Sequence, residues 1–115
     1  MVDCNSEFLT GYDWLMVSPL KFNGVPYPLT GATVEVSIVS INNVGEVTVL
    51  IPAIAQADSN LGADWPNGVL GIKIPKAITG INYTGKAAVE VSVTLDGNKL
   101  AWPRSDIKIS KGTIP

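Results

Sequence analysis

The chain has no histidine, one cysteine and few charges: 16% of its 115 residues are Asp, Glu, Lys or Arg. Without histidine there is no Ser–His–Asp triad and no Cys/His zinc site. Cys4 has no imidazole to activate it as a nucleophile. A lone cysteine also makes no intrachain disulfide, so the fold must stand on packing. No run of about 18 apolar residues occurs, so no transmembrane helix is expected. The start, Met1 to Glu7, is acidic and polar and lacks the basic-then-apolar pattern of a secretory signal, which points to folding in a cytosol. No Gly-rich phosphate loop of the right spacing is present. Ten scattered acids supply carboxylate pairs by chance, and the chain is small for a glycosidase cleft, so no enzymatic activity and no cofactor are expected.

What is present is apolar and β-prone. Residues of the apolar class make up 46% of the chain, enough to bury a core, and the length suits one domain spanning residues 1–115. Alternation with period two dominates. Val34, Val36 and Ile38 share one face, with Thr33, Glu35 and Ser37 on the other. The same pattern directs Val47, Val49 and Ile51 inward, then Leu70, Ile72 and Ile74, then Val89, Val91, Val93 and Leu95, then Ile107 and Ile109. Tyr12 to Val17 is β-prone but alternates less cleanly. β-Branched residues fill these runs and disfavour helix.

Turn signals separate the runs: Asn23-Gly24, Asn42-Asn43, Asn67-Gly68, Thr84-Gly85 and Asp96-Gly97, the last between Leu95 and Leu100 as a tight hairpin requires. Prolines, among them Pro19, Pro26 and Pro52, are expected outside strands, where no ladder N–H is lost. Ala53 to Ala57 and Lys76 to Ile78 suit single helical turns. Short strands with frequent turns predict an all-β fold, a β-sandwich or small barrel. Residues 1–11 and 111–115 are expected as extended termini, either frayed or adding a strand to a neighbour.

The stretch Pro52 to Asn67 is long for an irregular connection, and such loops tend to carry function. Gln56, Asp58, Asn60, Asp64 and Trp65 are therefore the candidate partner-binding residues. Trp65, between Asp64 and Pro66, is the candidate exposed anchor, while Trp14 and Trp102 are expected in the core or at its rim. Asp58, Asn60 and Asp64 do not follow the calcium-loop spacing, and Asx side chains also bond their own backbone in loops. No metal site is expected.

Charge is uneven. Residues 1–72 hold seven acids and one base, a net −6, whereas residues 73–115 hold seven bases and three acids, a net +4. Strands of a sandwich interleave, so the two halves are expected to mix on the surface. Seven spread bases, with Arg104 the only arginine, make no nucleic-acid stripe.

Pro28-Leu29-Thr30-Gly31-Ala32-Thr33-Val34, Trp65-Pro66-Asn67-Gly68-Val69, Thr84-Gly85-Lys86-Ala87 running into Val89 to Val93, and Leu100-Ala101-Trp102-Pro103-Arg104 follow one another in this order. From about Leu29 to Gly112 the chain resembles small immunoglobulin-like β-sandwich domains of tailed bacteriophages, which decorate capsids, attach head fibres or begin baseplate upper proteins. That resemblance implies six to eight mostly antiparallel strands and a non-enzymatic virion structural protein made in the bacterial cytoplasm. It implies the major capsid protein or another virion structural protein as partner, and a homo-oligomer such as a trimer, with no nucleic acid and no membrane bound. With no domain following Pro115, a capsid decoration or cement protein is expected ahead of a tail, baseplate or head-fibre adaptor. A carbohydrate-binding module using Trp65 and a second aromatic is the rival from another class.

Overall fold

The computed structural model describes residues 7–112 and is all-β. Its strands are β1 (Glu7–Leu9), β2 (Trp14–Pro19), β3 (Lys21–Phe22), β4 (Val25–Pro26), β5 (Thr33–Ile41), β6 (Val47–Gln56), β7 (Val69–Ile74), β8 (Gly85–Leu95), β9 (Asn98–Ala101) and β10 (Ser105–Ser110). The number exceeds the expectation because β1, β3 and β4 are only two or three residues long, too short to show alternation. One helical turn, α1 (Lys76–Thr79), stands where the sequence suggests it, and a 3-10 turn covers Trp65–Asn67. No helix among the described residues is long and apolar enough to cross a membrane.

Two sheets enclose one core. The larger runs β1-β10-β8-β5-β6, with β9 beside β8, and the smaller pairs β2 with β7. The alternation of β5, β7 and β8 explains the burial directly: Val34, Val36, Ile38, Leu70, Ile72, Ile74, Val89, Val91 and Val93 are all in the core. Leu95, by contrast, is only half-buried. Trp14 and Met16 of β2 and Ile107 and Ile109 of β10 join the same core. Both layers thus supply it, an arrangement compatible with a β-sandwich. The expected tight hairpin is present, with Asp96 at φ 52° and Gly97 at φ 82° joining β8 to β9 in the twist a two-residue loop needs.

Several expectations are corrected. Residues 7–11 are not an extended end: β1 pairs in parallel with β10, and Phe8 is fully buried against Trp14 at 5.4 Å between ring centroids. Residues 1–6, with Cys4, and 113–115 lie outside the described residues. Ala53 to Ala57 forms no helical turn, because β6 continues to Gln56. Pro52 sits inside β6, tolerated because that strand is paired only with β5 among the described residues. Pro19 and Pro26 close β2 and β4.

The largest correction concerns β6. Its register runs Val36↔Ile54, Ile38↔Ile51 and then Val39↔Val49. From the first pair to the second, β5 advances two residues and β6 three. From the second to the third, β5 advances one and β6 two. Each step inserts an extra residue into β6, a bulge that breaks strict alternation. Ile51 faces the core, but after the second insertion Val49 pairs with Val39 on the outer face, and Val47 follows with Ile41.

Candidate functional site: an apolar hairpin edge and an aromatic recess

The polar loop singled out by the sequence is tied to its own fold. The Gln56 amide bridges the two sheets: Oε1 accepts from the Lys73 N–H at 2.8 Å, and Nε2 donates to the Lys73 carbonyl at 3.4 Å and to that of Ile54 at 3.3 Å. Asn60 Nδ2 donates to Gln56 Oε1 at 3.0 Å and to the Gly71 carbonyl at 2.8 Å. The Asp64 carboxylate accepts from the Asn67 side-chain amide at 2.8 Å, across the ends of the 3-10 turn. Asp58 is exposed. Gly71 has to lack a side chain here, since a Cβ would stand 2.6 Å from the Leu61 carbonyl. Gln56 and Asn60 therefore spend their side-chain hydrogen bonds holding the loop down onto β7, and Asp64 joins β7 through its main chain at Val69.

Trp65 is a core residue, 8% exposed, and offers no surface anchor. Its carbonyl accepts from the Leu29 N–H at 2.8 Å, which draws the 3-10 turn inward. Its buried indole N–H meets no acceptor among the described residues. The flanking Asp64 and the polar loop around it misled because they report the local chain, while burial is decided by β7 and the Leu29 segment.

Exposed apolar surface gathers instead at the β5–β6 hairpin. Val44 at the tip is 79% exposed, and Val49, Val47 and Ile41 are 59%, 46% and 44% exposed. Behind them Val39 and Ala88 are buried, yet both lie outside the main core cluster. They pair with each other across β5 and β8 on the outer face. Asn42 holds the tip. Its Oδ1 accepts from the N–H groups of Val44 (3.0 Å) and Glu46 (2.9 Å), and its Nδ2 donates to the Glu46 carboxylate at 2.9 Å. The Asn42 N–H reaches the Glu46 carbonyl at 3.0 Å and closes the loop. Val44 is thus presented by an ordered turn. The signal was in the sequence: Val47, Val49, Leu50 and Ile51 are apolar on both phases, more than a half-buried strand needs.

A second feature lies at the other end. The β3–β4 hairpin turns through Asn23 (φ 53°) and Gly24 (φ 80°) and holds Phe22 over the chain leaving β9. Phe22 meets Tyr27 edge-on at 6.3 Å, and Tyr27 meets Trp102 at 5.2 Å. The indole N–H of Trp102 donates to the Lys21 carbonyl at 3.0 Å, fixing the hairpin to the sheet. Phe22, Leu100, Trp102 and Pro103 line a recess of about 210 Å³. Nothing local announces it, because its aromatic walls come from positions 22 and 102, with Tyr27 packed against both. Among the described residues no group of three His, Cys, Asp or Glu side chains is placed to hold a metal ion.

No protein-family model matches the chain, and no curated protein does. Among solved structures, the chain is similar to the PmoD soluble domain from Methylocystis sp. ATCC 49242 (Rockwell). The identity is 9% and the TM-score 0.48, over 91% of this chain and 78% of that one. At that distance the likeness carries no functional argument.

Proposed function

We propose that this chain is a non-enzymatic assembly module of a tailed-phage virion, a capsid decoration or cement protein that docks on the major capsid protein. The observation that carries this reading is the apolar end of the β5–β6 hairpin, exposed at Ile41 and Val44 around a loop pinned by Asn42. Water-exposed apolar patches of this kind mark protein–protein contacts, and a pre-ordered loop loses little freedom on docking. The resemblance to phage sandwich domains supplies the virion. An immunoglobulin-like reading assigns β2 and β7 to strands B and E, and β10-β8-β5-β6 to G-F-C-C′. Many copies on a repeating shell would turn a modest contact into firm attachment.

Co-sedimentation with purified capsids tests it. The wild type is expected to pellet in many copies, and the double variant Ile41→Asp, Val44→Asp to stay in the supernatant while keeping its unfolding midpoint. A wild type that ignores capsids sinks the decoration role. Binding of a few copies at one vertex or on the tail would identify an adaptor instead.

The aromatic recess favours one second reading, a glycan-binding module. Its stacking surface would be Phe22 and Trp102 and not the buried Trp65. Glycan-array signal lost in Phe22→Ala would support that reading, and a blank array for the wild type would remove it.

A further inference from the structure

The open edge of β6 carries main-chain groups as well as apolar side chains. The bond from the Asn42 N–H to the Glu46 carbonyl sets the phase of the β5–β6 ladder. In an antiparallel pair the hydrogen-bonded and non-hydrogen-bonded positions alternate. Ile41↔Val47 and Val39↔Val49 are then non-hydrogen-bonded pairs, and Ser40↔Thr48 is the bonded pair between them. The N–H and C=O of Val47 and Val49 therefore point away from β5, toward an edge that no described strand occupies.

Edge strands of monomers are normally protected by charge. β6 has no charged residue from Val47 to Gln56. Its protection begins only at Pro52 and the two bulges, which leave the segment from Val47 to Val49 unguarded. An uncharged strand gives a foreign partner no electrostatic handle, but it is complementary to itself: a two-fold axis through its middle sets one residue against its own copy and each flanking apolar residue against another residue of the same strand. Like charges there would repel, and none are present.

We propose that a second copy of this chain pairs antiparallel along β6, with Thr48 opposite Thr48 of the other copy. In that register Val47 of each copy faces Val49 of the other. The four outward-pointing main-chain pairs are satisfied together, and the outer faces join into one sheet. The two-fold pairing closes on itself, so the assembly is a dimer. The inference deepens the assembly reading and uses main-chain groups that docking through Ile41 and Val44 leaves free.

Sedimentation velocity over a concentration series tests it. The wild type is expected at twice the chain mass. The double variants Val47→Lys, Val49→Lys and Val47→Glu, Val49→Glu are each expected at the monomer mass, with unchanged circular dichroism because both positions are exposed. Mixing the two variants is expected to restore the doubled mass, since every cross-strand pair becomes Lys against Glu. A wild type that is monomeric throughout, a trimer, or a doubled mass that survives both charged variants would each overturn the proposal. The two readings also fail separately. A monomer that still pellets with capsids removes only the dimer, and a dimer that ignores capsids removes only the decoration role.

Discussion

Gln56 does at one position what a sandwich otherwise does with many apolar contacts: it joins the edge of one sheet to the other. Its amide, on a side chain that is itself buried, accepts from the Lys73 N–H and from Asn60, and donates to two carbonyls. Removing the amide leaves those groups without partners in a site where water enters poorly, at a cost of about 1–3 kcal/mol. Gln56→Leu is accordingly expected to lower the free energy of urea unfolding by that amount and to loosen the loop through Asn60, read as faster amide exchange at Lys73. An unchanged midpoint would show that the bridge contributes nothing net. The sequence offered Gln56 as a partner-binding residue because polarity in a long loop reads as function. The side chain's actual partners, Lys73 and Asn60, become visible only once β6 and β7 are brought together.

At the scale of elements, period-two alternation was a sound guide wherever a strand is regular. β5, β7, β8 and β10 bury the residues their patterns nominate, with only Leu95 at the end of β8 left half-exposed. The guide failed on β6, where the residue inserted between Ile51 and Val49 reverses the phase, because a bulge leaves no mark in a run of residues that are apolar on both phases. That reversal is also what created the candidate site, by carrying Val47 and Val49 from the core to the outer face. Cross-strand pairing makes a further prediction on β8 and β10. Lys86 stands directly opposite Lys108, a like-charge pair that costs rather than contributes. Lys86→Glu is expected to raise stability by about 0.2–1 kcal/mol through an opposite-charge pair. Thermal unfolding at low and high salt checks it. The gain should shrink as salt screens the pair, and a gain indifferent to salt would point to another cause.

Across the whole molecule the chain is closed by its first and last described strands. The unequal charge of the two halves is dispersed by this topology: β5 of the acidic half lies against β8 of the basic half, and β1 lies against β10. The parallel pairing of Glu7, Phe8 and Leu9 with Lys108, Ile109 and Ser110 brings positions a hundred residues apart into register. Three residues are too few to read as a strand, and a polar start reads as a frayed end, so the sequence concealed this closure. Its energetic centre is Phe8, fully buried beside Trp14. Phe8→Ala removes a large core side chain and leaves a cavity, at a cost of roughly 3–5 kcal/mol. Against a total of about 5–15 kcal/mol for a typical domain, that loss would consume much of the margin. Denaturant titration should therefore show a large drop in midpoint for Phe8→Ala, and for a chain shortened through Leu9, with an unfolded fraction appearing on mild heating. A shortened chain that unfolds at the wild-type midpoint would mean that β1 is an accessory strand and that the sandwich closes without it.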